Sequence, residues 1–234
     1  MGIKLPKPLY KARIIERTNR FVLKSYCCKT SSVRRIYLAD TGRLPDIIKP
    51  ERKILYHPAD KPDRKTAGTA LLADIHGELV SINSHRANKV AAWGIKNNCF
   101  AGLNSWQLKQ NEFNWNNSRF DFLLSQGDKK LLLEVKSVTL VRNNQACFPD
   151  AVTSRGRRHL EELIAWQKSS DQESMVLFLV SRNDAEKFRP CAEIDPKFAR
   201  ALHKARKQGV KIKVYTSSVT LNAIEPAVEI EQNW

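Results

Sequence analysis

The sequence predicts a mixed α+β and α/β protein of two domains, an N-terminal β-barrel or sandwich followed by an α/β domain. Six short segments typical of β-strands occupy roughly the first eighty residues, and turn residues separate them. From Ser84 the predicted order becomes helix, three strands, helix, strand, helix, strand. Apolar residues make up 42% of the chain, so 234 residues can bury a core in each part. We therefore place the domains at residues 1–83 and 84–234.

The first domain is predicted from segments that are short and rich in β-branched or aromatic residues. Turn residues separate them, among them Asp40-Thr41-Gly42 and His76-Gly77. A closed barrel leaves no exposed sheet edge, and a basic barrel can present a groove to nucleic acid. The predicted strands are YKARIIE, RFVLKSY, VRRIYLA, KILYH, TALLADI and ELVSIN.

The second domain begins with a predicted helix over SHRANKVAAWGIKNN, with Ser84 as its N-cap. A second helix is predicted over residues 154–168. The third is well marked, with Asp195 as N-cap, Pro196 at its first position and Gly209 past its end. The predicted strands are SWQLKQNEF, SRFDFLL, KKLLLEVKSVTL, SMVLFLV and KIKVYTSSV, and NNQACFPDAVT is predicted to be a loop.

One hairpin of the second domain carries two carboxylates among apolar residues. SRFDFLL and KKLLLEVK flank Gly127-Asp128, a pair that favours a two-residue hairpin turn. In that register Gln126 pairs with Lys129, and Asp121 falls directly opposite Glu134. Like charges placed opposite each other on adjacent strands are destabilising, so this register requires a compensating positive charge.

Three polar residues of this hairpin, Asp121, Glu134 and Lys136, form a pattern suited to phosphodiester hydrolysis. Mg²⁺ or Mn²⁺ between the carboxylates would activate water, and Lys136 would orient that water or polarise the phosphate. Glu112, on the preceding strand, is a candidate third metal ligand. The alternative is a solvated Glu-x-Lys ion pair, and a one-residue slip would send one carboxylate to the other face.

The chain carries 40 Lys and Arg against 24 Asp and Glu, a formal net charge of +16. A field of this sign attracts polyanions, most commonly nucleic acid, with an acidic partner as the alternative. Basic residues crowd the start of the second helix, where the helix dipole also favours anions. Asp150, just before it, is predicted as a helix cap, with a place near the metal as the alternative. The candidate nucleic-acid contacts are Arg20, Arg119, Arg155, Arg157, Arg158 and His159.

Cysteine usage and hydropathy predict a cytoplasmic protein. Five cysteines, an odd number without C-x-x-C spacing, argue against a disulfide framework or a zinc site. The apolar run MVLFLV is too short to span a bilayer, and the N-terminal segment lacks the apolar core of a signal peptide. We expect no membrane partner, and the sequence predicts no particular oligomeric state.

Several motifs together resemble the sugar fermentation stimulation protein (SfsA) family. They are NSRFDFLL, LLLEVKSVTLV, FPDAVTSRGRRHLEEL, IDPKFARAL and KQGVKIKVY, with looser agreement at RFVLKSY, DTGRL and INSHRANKV. The resemblance covers nearly the whole chain. It implies an OB-like barrel followed by a PD-(D/E)xK restriction-endonuclease-like domain of order αβββαβαβ, together with DNA binding and a link to sugar metabolism.

Carried over by position, the nuclease motif of that family falls on Asp121, Glu134 and Lys136. This chain departs from the family before the DTGRL turn. Where the family commonly has H-x-x-N-T-G, residues 37–42 read YLADTG. That difference puts in doubt any N-terminal role of the missing His and Asn, while the nuclease-like motif is intact.

Three functions are consistent with these observations. The leading hypothesis is a DNA-binding protein with an Mg²⁺- or Mn²⁺-dependent nuclease centre. The second is a non-catalytic DNA-binding regulator of sugar metabolism that keeps the nuclease fold as a scaffold. The third is an RNA-binding or RNA-processing protein, because an OB-like barrel suits single strands and phosphate contacts do not select the sugar.

Overall fold

The computed structural model describes residues 2–60, 64–168 and 172–234. Its described residues form an N-terminal barrel and a C-terminal sheet with helices on both faces, so the predicted fold class is confirmed. The helices are α1 (His85–Lys96), α2 (Ser154–Gln167) and α3 (Pro196–Lys207). The strands are β1 (Ile3–Lys4), β2 (Tyr10–Asn19), β3 (Val22–Cys27), β4 (Ser32–Leu38), β5 (Lys53–Pro58), β6 (Gly68–Ile75), β7 (Glu78–Ser81), β8 (Gln107–Trp115), β9 (Ser118–Gln126), β10 (Lys129–Val138), β11 (Leu140–Arg142), β12 (Gln145–Phe148), β13 (Gln172–Val180), β14 (Lys187–Pro190), β15 (Lys211–Val219), β16 (Ala223–Glu229) and β17 (Glu231–Gln232).

Strands β2 to β6 close into a five-stranded barrel. The order is β4-β3-β2-β5-β6, and a short parallel pairing of β4 with β6 completes the ring at Tyr37–Thr69 and Leu38–Ala70. The far half of β6 pairs with β7 instead. Alternate residues along the strands fill the interior with buried aliphatic side chains, and the others face outwards.

The second domain is built on a seven-stranded sheet of order β1-β16-β15-β13-β10-β9-β8. Its centre, β10, β13 and β15, is parallel, and the apolar run MVLFLV is the buried strand β13. Helix α1 covers one face of the sheet, and α2 and α3 cover the other. Burial on both faces explains why these strands are almost entirely apolar.

The starts of α1 and α3 follow the predicted N-cap positions. Asp195 accepts a hydrogen bond from Phe198 N at 2.9 Å, Pro196 is the first helical residue, and Gly209 has φ +89° just past the end of α3. Ser84 is the N-cap of α1, but its hydroxyl donates to Ala39 O at 3.1 Å and so ties the helix to the barrel. In the described residues, no helix combines the length and apolar composition that crossing a bilayer needs.

Several short strands were not predicted. The segment predicted to be a loop contains β12, which joins β11, β14 and β17 in a second, four-stranded sheet. KIKVYTSSV is followed by a further strand, β16, and β16 pairs with β1 through Ile3–Ile224. The first strand of the chain therefore lies in the sheet of the second domain. Strands of two to four residues are too short to produce a recognisable periodicity, and the seven-residue β16 contains Pro226, which weakens the sequence signal for a strand.

The two domains share a hydrophobic cluster. Leu71 and Leu72 of the barrel belong to the same buried cluster as Val90 and Ala91 of α1. Backbone hydrogen bonds add to this contact, since Ser81 N donates to Ser181 O at 2.9 Å. The barrel is thereby held against the sheet, and residues of both domains can build one site.

Candidate active site between the domains

A cavity of about 420 Å³ lies between the barrel and the second domain. The barrel contributes Arg20 and the turn at residues 40–42. The second domain contributes α1, the ends of β9 and β10, and the segment that leads into α2. Its chemically active lining residues are Arg20, Asp40, Asn88, Asp121, Glu134, Lys136, Asp150 and Arg155.

The hairpin that carries the predicted site has the predicted register. Gln126 pairs with Lys129, and the ladder continues to Phe122–Leu133. Gly127 in the turn has φ +58°, a conformation that glycine adopts without strain. Beyond that last pair, Val135 N donates to Asp121 Oδ2 at 2.8 Å. The hairpin thus brings Asp121 beside the Glu134 segment, and both side chains reach the cavity.

Glu134 is buried, and its two carboxylate oxygens differ. Oε1 accepts hydrogen bonds from Lys136 Nζ at 2.5 Å and His159 Nδ1 at 2.6 Å. Oε2 is also buried and has no hydrogen-bond partner among the described residues. Burial by itself would raise the pKa of this carboxyl group, but the Lys136 charge and the His159 hydrogen bond outweigh it and lower the pKa. Glu134 is therefore ionised and has one oxygen available for a ligand.

Asp121 has the opposite pKa shift. Burial, and then the nearby Glu134 charge, raise the pKa of Asp121 to about 7. Hydrogen bonds from Val135 N and from Asn88 Nδ2, the latter at 2.5 Å, oppose that rise. Two neighbouring carboxyl groups whose pKa values move apart are typical of functional sites. A bound cation would relieve the repulsion between them.

His159 is buried against Glu134, so its side chain does not lie at the surface, where the sequence placed it as a candidate nucleic-acid contact. Its side chain is 1% exposed and packs against Phe120, with ring centroids 5.2 Å apart. Arg155 Nε donates to His159 Nε2 at 3.2 Å. Because arginine can only donate, Nε2 is the acceptor, and the proton on Nδ1 points to Glu134. Arg155 and His159 stand four residues apart on α2, a helical spacing that the sequence already contained.

Two other predicted residues do not reach the cavity. Glu112 is exposed, and its nearest charged partner is Arg119, with nitrogen and oxygen 3.6 Å apart. Neither residue lines the cavity, so the structure does not bring Glu112 together with Asp121 and Glu134. The backbone of Glu112 has φ +53°, a left-handed conformation within β8.

The arginines at the start of α2 make different contacts. Arg157 pairs with Asp195, the cap of α3, at 3.1 Å, and thereby links the two helices. Arg158 Nε donates to Ser118 Oγ at 3.3 Å. Only Arg20 and Arg155, of the six predicted nucleic-acid contacts, line the cavity. They face it from opposite domains.

Two aspartates of the cavity were not among the predicted site residues. Asp150 Oδ2 accepts from Leu44 N at 2.9 Å, across the domain boundary. Asp150 does not cap α2, because Thr153 does, with its hydroxyl accepting from Gly156 N at 3.0 Å. Of the two roles left open for Asp150 by the sequence, the cap of α2 is wrong, and a place near the metal stays a prediction because Asp150 lines the same cavity as Asp121.

Asp40 is the second of these aspartates. Its Oδ1 accepts from Gly42 N at 2.7 Å. Burial raises the pKa of Asp40 to about 6, and the neighbouring Asp150 adds to the rise while Arg17 opposes it. A Cβ on Gly42 would lie 2.6 Å from Asp150 Oδ2, so a larger residue here would displace the Asp150 carboxylate. The only sequence signal for this contact is the turn itself.

The donor set fits a hard divalent cation. Glu134 Oε2 is a buried oxygen without a partner, and Asp121 carries a second carboxylate in the same cavity. The described residues contain no group of three or more His, Cys, Asp or Glu placed to hold a metal by themselves. Mg²⁺ commonly takes one or two carboxylates and completes its shell with water and substrate oxygens. The five cysteines are all free thiols and take no part in the cavity.

The barrel, the mixed sheet and the cavity between them define a class of protein, an OB barrel joined to a restriction-endonuclease-like domain. Residues 15–82 match the family model described as "SfsA N-terminal OB domain", and residues 85–223 match "Sugar fermentation stimulation protein RE domain". The chain belongs to the sugar fermentation stimulation protein (SfsA) family.

Relatives support the same assignment over almost the full length. A sugar fermentation stimulation protein homolog of Syntrophotalea carbinolica is 36% identical over 93% of this chain and 94% of its own. The homolog from Shouchella clausii is 37% identical over the same shares. Among solved structures, that of Pyrococcus furiosus SfsA in complex with Ca²⁺ aligns over 100% of both chains, with a TM-score of 0.90 and 26% identity.

Proposed function

We propose that this protein binds DNA and hydrolyses phosphodiester bonds in a reaction that depends on Mg²⁺ or Mn²⁺. The observation that carries the proposal is the buried pair of carboxylates with Lys136 beside it. One oxygen of the pair has no partner, and the pKa values of the two groups are pushed apart. A net charge of +16 and arginines on both sides of the cavity supply the attraction for a polyanion.

Each residue has a distinct role in this proposal. Asp121 and Glu134 would hold the cation, and Lys136 would orient the attacking water or donate to a phosphate oxygen. When bound, the cation would lower the pKa of water and neutralise charge that develops on the phosphate. His159 fixes Glu134 through its Nδ1 proton, and Arg155 fixes His159.

The anchoring of the substrate follows from charge and backbone dipoles. Arg20 and Arg155 would contact phosphates on either side of the scissile bond. The N-terminus of α2 lies at the cavity, where free backbone N–H groups favour an anion. The Pyrococcus furiosus relative was solved with Ca²⁺, a cation that also prefers oxygen ligands, which supports a cation as a partner. Free thiols support a reducing cytoplasmic location.

A second candidate function is a non-catalytic DNA-binding regulator of sugar metabolism. The observation that favours it is the contact of Lys136 with Glu134, because an amine held in an ion pair is not donating to substrate. A third is RNA binding or processing, favoured by the OB barrel. The cleavage experiment described next distinguishes these two functions from the metal-dependent nuclease.

The decisive experiment is cleavage of plasmid and single-stranded DNA with Mg²⁺, with Mn²⁺ and with a chelator. We expect cleavage with the metals, none with the chelator, and none in Asp121→Ala or Glu134→Ala. Glu112→Ala is the matched control, since it removes an exposed carboxylate outside the cavity and should retain activity. Cleavage that survives in both site variants, or is absent with either metal, contradicts a nuclease centre.

A binding measurement tests the DNA part separately. The affinity for duplex DNA should fall steeply as salt rises, because phosphate contacts release condensed counterions. A flat salt dependence contradicts backbone binding. Competition between DNA and RNA of equal sequence then decides whether the third function is preferred.

A further inference from the structure

A second cavity of about 310 Å³ adjoins the candidate active site. The barrel contributes Arg17, Arg20 and the turn at residues 41–43 to its lining, and the second domain contributes Ala151 and Val152. We call this cavity the arginine pocket, because Arg43 of the turn is its third arginine. No acidic residue lines it in the described part of the chain, so it favours an anion.

Arg17 fixes the shape of the arginine pocket. Its Nη1 donates to Arg43 O at 2.5 Å, and its Nη2 donates to Arg20 O at 2.7 Å and to Gly42 O at 2.9 Å. Its Nε is buried and has no hydrogen-bond partner among the described residues. Arg17 therefore belongs to the wall of the pocket, and the two turns that it joins carry the other two arginines.

The side chains of Arg20 and Arg43 are available to a ligand. Both are exposed, and neither guanidinium group makes an ion pair or a hydrogen bond with any of the described residues. Burial lowers the pKa of Arg17, and the nearby charges of Asp40 and Asp150 oppose that change. These two carboxylates partly neutralise Arg17, so the charge that attracts an anion is mainly that of Arg20 and Arg43.

The arginine pocket and the candidate active site share a wall. Arg20, residues 41–42, Ala151 and Val152 line both cavities. Val152 is 69% exposed, the largest exposed fraction among the large apolar side chains of the described residues. An exposed apolar side chain between two polar cavities suits a sugar or a base, whereas the cavities on either side suit phosphates.

We propose that the arginine pocket binds the phosphate next to the scissile phosphate of a DNA strand. The scissile phosphate lies with the cation in the candidate active site, and Arg20 and Arg43 hold its neighbour through the paired hydrogen bonds that guanidinium groups donate to phosphate. Successive phosphates are one nucleoside apart, and Val152 contacts that nucleoside. The place of the scissile phosphate rests on the proposed function, whereas phosphate binding in the arginine pocket does not.

The test is isothermal titration with thymidine 3′,5′-bisphosphate, in which one nucleoside carries two phosphates. This compound has no phosphodiester bond, so Mn²⁺ can be present without cleavage. The wild type should bind it in chelator, and about tenfold more tightly with Mn²⁺, because the second phosphate then has a site. Arg43→Ala should weaken binding about tenfold in both conditions, because charge-assisted hydrogen bonds are lost. This variant keeps the main-chain carbonyl that Arg17 binds.

Three further variants serve as comparisons for Arg43→Ala. Arg200→Ala removes an exposed arginine of α3 outside both cavities and should change neither affinity. Val152→Asp places a negative charge between the two phosphates and should weaken binding about tenfold with Mn²⁺. Val152→Thr has a similar shape without the charge and should bind like the wild type.

The outcomes separate the arginine pocket from the nuclease. Unchanged affinity in Arg43→Ala, an equal loss in Arg200→Ala, or a wild type that does not bind the bisphosphate overturns the pocket, whatever the protein cleaves. A loss in chelator that disappears with Mn²⁺ overturns the neighbouring arrangement, because the two sites are then not occupied together. A loss in Arg43→Ala without any effect of Mn²⁺ supports the pocket and contradicts the cation site of the proposed function.

Discussion

The cavity between the domains holds two pairs of carboxylates, and the oxygens of the two pairs are satisfied in different ways. Asp40 and Asp150 accept backbone hydrogen bonds from Gly42 and Leu44, at 2.7 and 2.9 Å. In the pair on the hairpin, Glu134 keeps a buried oxygen without any partner. The first pair fastens a turn of the barrel to the second domain.

Not every acidic residue that lines a cavity is therefore a metal ligand. Burial is the main cause of the raised pKa in both Asp40 and Asp121. What distinguishes the hairpin pair is its set of neighbours, a lysine and a histidine that keep Glu134 ionised. Asp121 is also held by hydrogen bonds, from Val135 N and Asn88 Nδ2, so the feature particular to the hairpin pair is the buried, unpartnered oxygen of Glu134.

The same conservative substitution in each pair is expected to give the largest difference, measured as the rate of cleavage. Asp121→Asn removes a charge from the proposed cation site, and cleavage should fall by about 10³-fold. Asp150→Asn keeps a carbonyl oxygen for Leu44 N, so cleavage should stay within about threefold of wild type. Initial rates with Mn²⁺ measure both. Similar losses in the two variants would mean that both pairs hold reacting groups.

Removing His159, which hydrogen-bonds Glu134, is expected to have the second largest effect, on Mn²⁺ affinity. His159→Ala should weaken Mn²⁺ binding by about 10- to 100-fold, because Glu134 loses the donor that orients it. His159→Asn offers an N–H near the position of Nδ1 and should recover part of that loss. Isothermal titration of Mn²⁺ into folded protein measures the affinity, with circular dichroism as the control for folding. An unchanged affinity in folded His159→Ala would contradict the positioning role.

The pH dependence of stability tests the raised pKa of Asp121 in the hairpin pair. Folding raises the pKa of Asp121 from 3.8 to about 7, so the native state binds this proton more tightly than the unfolded state does. Stability from this group is present at low pH and is lost as pH rises from about 4 to about 7. In chelator at pH 8, Asp121→Asn should therefore be more stable than wild type, by on the order of 2 kcal/mol.

Thermal unfolding at several pH values measures that difference. The melting temperatures of wild type and Asp121→Asn should diverge as pH rises and approach each other near pH 4. A constant difference across the whole range would show that this aspartate does not titrate with a raised pKa.

The smallest effect is expected at the pair held by backbone amides. Asp150→Ala leaves Leu44 N without its acceptor and should cost about 1 kcal/mol, or about 3 °C in melting temperature. Asp150→Asn should lie close to wild type, since the acceptor remains. Differential scanning calorimetry of the two variants measures this. Equal destabilisation by Ala and Asn would point to the charge, not the hydrogen bond, as the source of stability.

The hairpin was predictable because its information is local. The two-residue turn at Gly127 sets the register, and the register brings Asp121 to Glu134. Glu112 could not be placed in the same way, because its backbone has a positive φ within β8. His159 was misassigned because it lies among arginines in the sequence, while the packing of α2 against the sheet turns that one side chain inwards.

Local sequence patterns were sufficient to predict the three helices, the side-chain cap of α3, the barrel strands, the hairpin register and the basic charge. These depend on neighbours within a few residues, or on composition alone. The remaining cavity residues, including Asp40 and Asn88, were identified only from the tertiary structure. Those residues lie 81 and 33 positions from Asp121 in the chain, as the residue numbers give. No local pattern relates positions so far apart, and they meet because a shared hydrophobic cluster holds the barrel against the sheet.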